Sequence, residues 1–437
     1  MTGLPDHAQT LVELLRWRAR HQSGQPAYVF LPEGEKDEER LTYAEVDRRA
    51  RALGAWLQQH HLEGERGLIL CPSGLDFVVS FLGCLYARAV AVPCFPPRPN
   101  RPVKRLQSIA ADARARFAMV SSKTGTKWDR CLEVYPELSH LELIPVDLLD
   151  DALAKTWRED PGIAAESLAF IQYTSGSTAA PRGVMVSHRN ILANTAAIQR
   201  TCRSFENSAV VTWLPLFHDM GLVGHVLHAL YSGVPNVILP PEAFLQRPAR
   251  WLEAISRYEQ VGSAAPNFAY ELCLEKLPDG LPEEIRLSGW ISAFNGAEQV
   301  HQETIERFAR RFARNGFGES HFIPCYGLAE ATLMVTAKEP PGDTPKYLRP
   351  ESSPAGGAGD RQPPLSHALV SCGQPVPGTR VVIVDPNTRE ALPDGSIGEI
   401  WVTGPGVAQG YWDKPAETGQ LFRATLAPGG GEFFLRT

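Results

Sequence analysis

The chain has 437 residues, with 43 Lys plus Arg against 49 Asp plus Glu, a formal net charge of −6, and 43% hydrophobic and 21% charged residues. That length holds roughly three structural units at about 150 residues each and buries a substantial core, which excludes a disordered chain and a small disulfide scaffold. The mildly acidic balance gives no general attraction to nucleic acid or anionic lipid, so a phosphate group must find a local site.

In chain order, Thr10 and Glu13 form a capping box opening a helix with Leu11, Leu14 and Leu15 on one face, and Gly24 with Pro26 closes it. A second helix is predicted over 43–59. The apolar run 67–71, the turn Pro72-Ser73-Gly74, a helical pattern over 75–87 and a second apolar run at 89–92 make a strand, helix, strand unit with parallel strands. The alternation continues with strands at 117–121, 143–146, 169–173, 210–214 and 237–239, and with helices starting near His188 and Gly221. An α/β fold with mostly parallel sheets follows. After about Leu369 the pattern shifts to short β-branched runs at 380–384, 399–403 and 433–435, with a turn at Pro393-Asp394-Gly395; these predict antiparallel strands in a small barrel-like subdomain. Between the two patterns, residues 339–368 hold eleven Pro or Gly in thirty positions, the composition of a loop or linker.

Only 9 of the 43 basic residues are Lys, so Arg stands wherever a generic cation serves. Arg98, Arg101, Arg105, Arg114 and Arg116 read as a solvated surface. The eight cysteines (Cys71, Cys84, Cys94, Cys131, Cys202, Cys273, Cys325, Cys372) contain no C-x-x-C pair, which fits reduced thiols and a cytoplasmic enzyme. The first ten residues lack a charged n-region and an apolar h-region, and Arg88 interrupts the apolar stretch 77–92, so neither a targeting segment nor a membrane span is expected.

The segment Tyr173-Thr174-Ser175-Gly176-Ser177-Thr178-Ala179-Ala180-Pro181-Arg182-Gly183-Val184-Met185 follows a predicted strand and precedes a helix that Ser187 can cap. Four hydroxyls around one Gly, with backbone N–H groups freed by a tight turn, suit phosphate oxygens. The spacing and the Lys of a Walker A loop are missing. His218 beside Asp219 could serve a hydrolase, yet no G-x-S-x-G elbow supplies a nucleophile.

The whole string 173–185 resembles the phosphate-gripping signature of the acyl-adenylate-forming enzymes, the superfamily of acyl-CoA synthetases, luciferases and peptide-synthetase adenylation domains. The family usually has Gly and Lys where this chain has Ala180 and Arg182; the Arg keeps the charge. Further resemblances fall in the family's order: Trp213-Leu214-Pro215-Leu216-Phe217-His218-Asp219-Met220-Gly221-Leu222, Asn295-Gly296-Ala297-Glu298, Tyr326-Gly327-Leu328-Ala329-Glu330-Ala331-Thr332, and Gly398-Glu399-Ile400 with Gly404, Gly410, Tyr411 and Trp412. The resemblance implies the family's large N-terminal domain, with α/β subdomains over 1–180 and 181–370 and a small β subdomain over 371–437. It implies ATP and Mg2+ as cofactors. Thr174, Ser175, Gly176, Ser177 and Thr178 would lie on the phosphates, Glu330 on magnesium, and Gly296, Ala297, Glu298, Tyr326, Gly327 and Leu328 around AMP. Thr174, Glu330 and His218 are the catalytic candidates, His218 lining the passage where carboxylate or thiol enters.

Met220, Gly221, Leu222, Gly224, Phe268 and Phe294 are the candidates for an acyl pocket. The stretch 220–227 carries no acidic residue of the kind that holds a substrate ammonium in amino-acid-activating relatives, which favours a fatty acid. Ala265-Pro266-Asn267-Phe268-Ala269-Tyr270 and Val370-Ser371-Cys372-Gly373-Gln374-Pro375 resemble the fatty acyl-AMP ligase branch, where an insertion after the Tyr-Gly-Leu-Ala-Glu signature accompanies transfer to the phosphopantetheine arm of an acyl carrier protein. That insertion is placed within 335–369. The chain stops at Thr437, just before the family's Gly-Asp, so the mobile C-terminal domain is expected to be missing and this monomeric unit to adenylate poorly. A fatty acyl-CoA synthetase and a catalytically silent acyl- or nucleotide-binding module are the alternatives.

Overall fold

Two threonines start the first helices. Thr10 Oγ1 accepts from Glu13 N at 3.1 Å to open α1 (Leu11–His21), and Thr42 with Glu45 closes a reciprocal box on α2 (Tyr43–Gln59). In the α1 box the Glu13 carboxylate reaches one residue further back than the motif predicts, accepting from Gln9 N at 2.7 Å. The computed structural model describes residues 8–32, 37–97, 104–124, 136–174, 181–202, 208–338, 343–348, 368–429 and 431–437. Between the two helices run β1 (Pro26–Phe30) and β2 (Glu39–Thr42).

The strand, helix, strand unit is β3 (Arg66–Ile69), α3 (Leu75–Tyr86) and β4 (Val90–Pro93). After α4 (Lys104–Asp112) come β5 (Phe117–Val120), β6 (Glu142–Pro145), β7 (Leu168–Thr174) and β8 (Arg182–Ser187). They form a six-stranded sheet in the order β6-β5-β3-β4-β7-β8, parallel except for β7 against β8. Ser187 then caps the helix His188–Cys202: Asn190 N donates to Ser187 Oγ at 3.2 Å.

The second sheet has nine strands. β9 (Ser208–Thr212), β10 (Asn236–Ile238), β11 (Gln260–Ala265), β12 (Ser292–Asn295), β13 (Phe322–Gly327) and β14 (Met334–Ala337) carry most of it, and after β15 (Tyr347–Leu348) and β16 (Leu369–Val370), β17 (Gln374–Pro375) adds one edge. The other edge is β1 and β2, with Tyr28 opposite Asn236 in parallel. The expected division at 180 is therefore interleaved. The early strands join the second sheet because the buried run 27–29 needs two covered faces, and β8 belongs to the first. Residues 335–337 of the expected insertion are core strand, with Val335 fully buried; 339–342 and 349–367 lie outside the described residues.

The expected barrel-like subdomain is an open antiparallel sheet of β18 (Arg380–Val384), β19 (Glu399–Thr403) and β20 (Leu435–Arg436), with Arg380 opposite Thr403. Three strands are too few to close. Its core is Val384, Trp401, Ala424 and Phe434. The segment following β19 lies along β8: Met185 N donates to Gly410 O, Gln409 N to Met185 O, and Trp412 N to Gly183 O, at 2.8–2.9 Å.

One buried cation ties the N-terminal helices to the element that roofs the site. Arg18 is 0% exposed, its Nη1 donating to Gln22 Oε1 at 2.8 Å, and its Nε and Nη2 to the carbonyls of Leu230 and Tyr231. Replacing it, Arg18→Met, orphans those carbonyls; chemical denaturation is expected to show a loss of about 2 kcal/mol.

Candidate active site

Thr174 at the end of β7, Ala264 on β11, Phe294 on β12 and residues 325–327 on β13 all line one cavity of 430 Å³. Crevices at the C-terminal ends of strands are where α/β sheets bind ligands. The cavity gathers Thr174, His218, Met220, Gly224, Phe294, Ala297, Tyr326, Gly327, Leu328 and Glu330 out of a sequence in which they span more than 150 residues. Ser175, Gly176, Ser177 and Thr178 lie outside the described residues.

The apolar limb is lined by Ile198, Met220, Gly224, Ala264, Phe294, Leu333 and Met334. Its roof is a broken helix: a turn at Asp219–Gly221, a π segment over Leu222–Leu227 and an α turn at His228–Ser232. A π segment widens the coil and commonly marks a functional site. Not every residue predicted for this pocket reaches it. Leu222 is 0% exposed and packs into the core between the sheets. Gly221 serves close packing instead, since a Cβ there would sit 2.3 Å from the Pro215 carbonyl oxygen. Phe268 is exposed, edge-on to Trp213.

His225, which the sequence shows only as one position in an apolar stretch, holds the roof to the floor. Its Nε2 accepts from Ala264 N at 3.0 Å, so the proton sits on Nδ1, which donates to Met220 O at 2.8 Å. Burial holds the ring neutral, its pKa down to about 4.

At the polar end Glu330 lines the cavity beside Tyr326, Gly327 and Leu328. Its Oε1 accepts from Tyr411 Oη at 2.7 Å, which the sequence alone does not reveal. That carboxylate raises the Tyr411 phenol, after burial the largest cause. Two non-glycine residues hold strained positive φ here: Ala297 at 65° and Thr332 at 69°, the latter anchored by Oγ1 donating to Gly406 O at 2.6 Å. Gly296 and Glu298 do not line the cavity; Glu298 accepts from Phe268 N at 2.6 Å and a Cβ on Gly296 would meet Cys325. Arg182 pairs with Glu417 at 3.0 Å with its guanidinium over the Tyr411 ring.

A third limb carries Phe95, Phe217, His218 and Arg105, the last on α4. Arg105 was expected on a plain solvated surface, but the packing of α4 beside β4 and β5 brings it to the cavity. Arg114 does pair at the surface with Asp413, and Arg116 with Glu65; Arg98 and Arg101 lie outside the described residues. Gln172, also at the cavity, donates Nε2 to Phe217 O at 3.0 Å, and its Oε1 is buried without a hydrogen-bond partner. His218 Nδ1 lies 2.6 Å from Asp219 Oδ1, and that hydrogen bond raises the imidazole above its usual 6.5. Among the described residues no cluster of three or more His, Cys, Asp or Glu could hold a metal, Cys71, Cys84, Cys94, Cys273, Cys325 and Cys372 are free thiols, and no helix is long and apolar enough to cross a membrane.

Residues 15–412 match the AMP-binding enzyme family, to which the chain belongs, and a cavity that joins an apolar limb to a carboxylate and an aromatic face at the strand ends of an α/β body fits such an adenylate-forming enzyme. The chain is 40% identical to the medium-chain-fatty-acid–[acyl-carrier-protein] ligase JamA of Moorena producens, over 98% of this chain and 74% of that protein. It is 39% identical to the long-chain-fatty-acid–AMP ligase FadD23 of Mycobacterium tuberculosis, over 90% of this chain and 68% of that one. The crystal structure of the L. pneumophila fatty acyl-adenylate ligase in complex with acyl adenylate and pyrophosphate matches with a TM-score of 0.88 at 36% identity, covering all of this chain and 76% of that one.

The His218 ion pair has a definite pH signature. A raised pKa means its stabilisation is complete below 6.5 and is lost as pH climbs through the raised value. NMR titration is expected to place the His218 midpoint above 6.5 and Asp219→Asn to bring it down; a wild-type midpoint at or below 6.5 contradicts the pairing.

Proposed function

We propose that this chain activates a fatty acid with ATP to fatty acyl-AMP, for transfer to the phosphopantetheine arm of an acyl carrier protein. The observation that carries the reading is the single cavity in which an apolar limb opens onto Glu330 and Tyr326. Asp219, beside Met220 of that limb, is engaged through Oδ1 with His218 and with Met220 N at 2.8 Å. An unsubstituted apolar acid fits.

The substrate carboxylate oxygen attacks the α-phosphorus of ATP; the new O–P bond forms as the P–O bond to the β-phosphate breaks, releasing pyrophosphate. This needs little covalent chemistry from the protein. Placement of the carboxylate and electrostatic stabilisation of the phosphates supply the rate. The Thr174 hydroxyl and the loop 175–178 would grip phosphate oxygens, and the apolar walls keep water from the reacting acid. Magnesium commonly uses one or two protein carboxylates, completing its shell with water and substrate phosphates. Glu330, which lines the cavity with one oxygen on Tyr411, fits that requirement. Glu330 would hold the ion, which would supply neutralisation of phosphate charge. Tyr411 orients Glu330, and His218 lines the way in for carboxylate and thiol. Transfer to a carrier protein is supported by the name JamA bears and by the likeness of residues 265–270 and 370–375 to the fatty acyl-AMP ligase branch. The free thiols support a cytoplasmic setting, and we take the unit to act as a monomer.

The test is fatty-acid-dependent ATP–pyrophosphate exchange, followed by separate offers of carrier protein and coenzyme A. Glu330→Ala is expected to lower exchange by about 100-fold or more. Acyl-CoA formed as fast as acyl-adenylate would falsify the carrier-protein assignment. Tyr411→Phe should leave the fold intact and raise the half-saturating magnesium concentration about tenfold, read both in exchange and in magnesium-dependent thermal stabilisation with ATP.

A further inference from the structure

Behind the apolar limb lies a second, smaller chamber of 30 Å³. The two spaces share Ile198, Gly224, Ala264 and Phe294, which form a partition between them. The chamber floor is the face of the nine-stranded sheet on which Gly262 of β11 sits, flanked in register by Val210 on β9 and Ser292 on β12. One row nearer the strand ends, Ala264 stands opposite Phe294.

Gly262 is a half-buried strand glycine. Such a glycine normally makes room for something pressed against the backbone, as Gly221 does for a carbonyl. At Gly262 a Cβ would meet nothing within 4 Å. The missing side chain leaves open volume, and that volume is the chamber. At 30 Å³ it takes about two water-sized groups, or the last carbons of a chain.

Its polar lining does not call for water. His225 spends both ring nitrogens on Met220 O and Ala264 N. Ser263 donates to Val211 O at 2.6 Å and accepts from Trp251 Nε1 at 2.9 Å; His228 stands by Ser232 Oγ; Ser208 and Ser292 are engaged as well. Burial keeps both histidines uncharged, at about 4 and about 3. A site whose serines and His225 are engaged and whose rings are neutral suits hydrocarbon.

We propose that the chamber receives the distal end of the acyl chain once it passes Gly224 and Phe294, and that Gly262 determines the longest chain the protein accepts. The proposal rests on the fatty-acyl reading of the main cavity. At the neck, a Cβ on Gly224 would stand 3.0 Å from Leu333 Cδ2, so the passage is already narrow.

The test is calorimetry of the full chain with a series of non-hydrolysable acyl-adenylate sulfamates of increasing length, which needs no turnover. Wild-type affinity is expected to rise with each carbon and then level off. Gly262→Val is expected to weaken the longest analogues that still gain affinity in the wild type by about tenfold or more, since a methylene in an apolar pocket discriminates on that scale, and to leave the shortest unchanged. The short analogues thereby show that the variant is folded, and Gly262→Ala provides a milder version of the same shift. Phe294→Ala is expected to move the plateau toward longer chains. A Gly262→Val profile parallel to the wild type, or weakened equally at every length, overturns the chamber while leaving the fatty-acyl reading in place. Wild-type affinity that is independent of chain length overturns both.

Discussion

The hydrogen bonds of one neutral imidazole hold this site in shape. His225 joins the carbonyl of Met220 in the roof to the amide of Ala264 in the floor, and only the Nδ1-protonated neutral ring satisfies both. Charging it would turn the acceptor toward Ala264 into a donor and leave an unpaired buried charge, so its burial and its geometry enforce the same state. The π segment belongs to the same arrangement: it lets a side chain at 225 reach back to the carbonyl at 220 while Leu222, Val223, Val226 and Leu227 stay in the core shared with α1 to α3.

Around that fixed roof the polar end is assembled from parts of the chain far apart. Glu330 follows β13, yet Tyr411, which orients it, comes from the segment that lies along β8. Arg182 on β8 stacks on the same Tyr411 ring and pairs with Glu417. Strand β8, the Glu330 carboxylate and the segment that follows β19 are therefore mechanically joined. Ala297 and Thr332 carry strained positive φ near this assembly, and Thr332 is held by its hydrogen bond to Gly406 O.

Much of this was legible in the residues. The helix 43–59 and the strands 380–384 and 399–403 stand where their caps and alternation place them, because those signals are local. Ten of the residues picked from motifs line the cavity, because a motif records the spacing a loop needs to present several groups at once. Other positions failed for equally physical reasons. Gly221 and Leu222 are next to true lining residues, but a helix turns neighbours onto different faces. Arg105 gave no sign, since an exposed arginine on a short helix looks the same whether it faces bulk solvent or a cavity mouth.

By itself, the sequence determined the α/β alternation, the helix starts, the order of the binding motifs and the family they belong to, all of which depend on neighbours a few residues away or on intact short strings. Only the tertiary structure decided that β1 and β2 join the second sheet, that three late strands stay open, that His225 bonds Ala264 and Tyr411 bonds Glu330, and that Gly262 faces empty space. Those are pairings between residues tens to hundreds of positions apart. Register and burial across such distances come from how whole faces fill space together, and no local pattern carries that information.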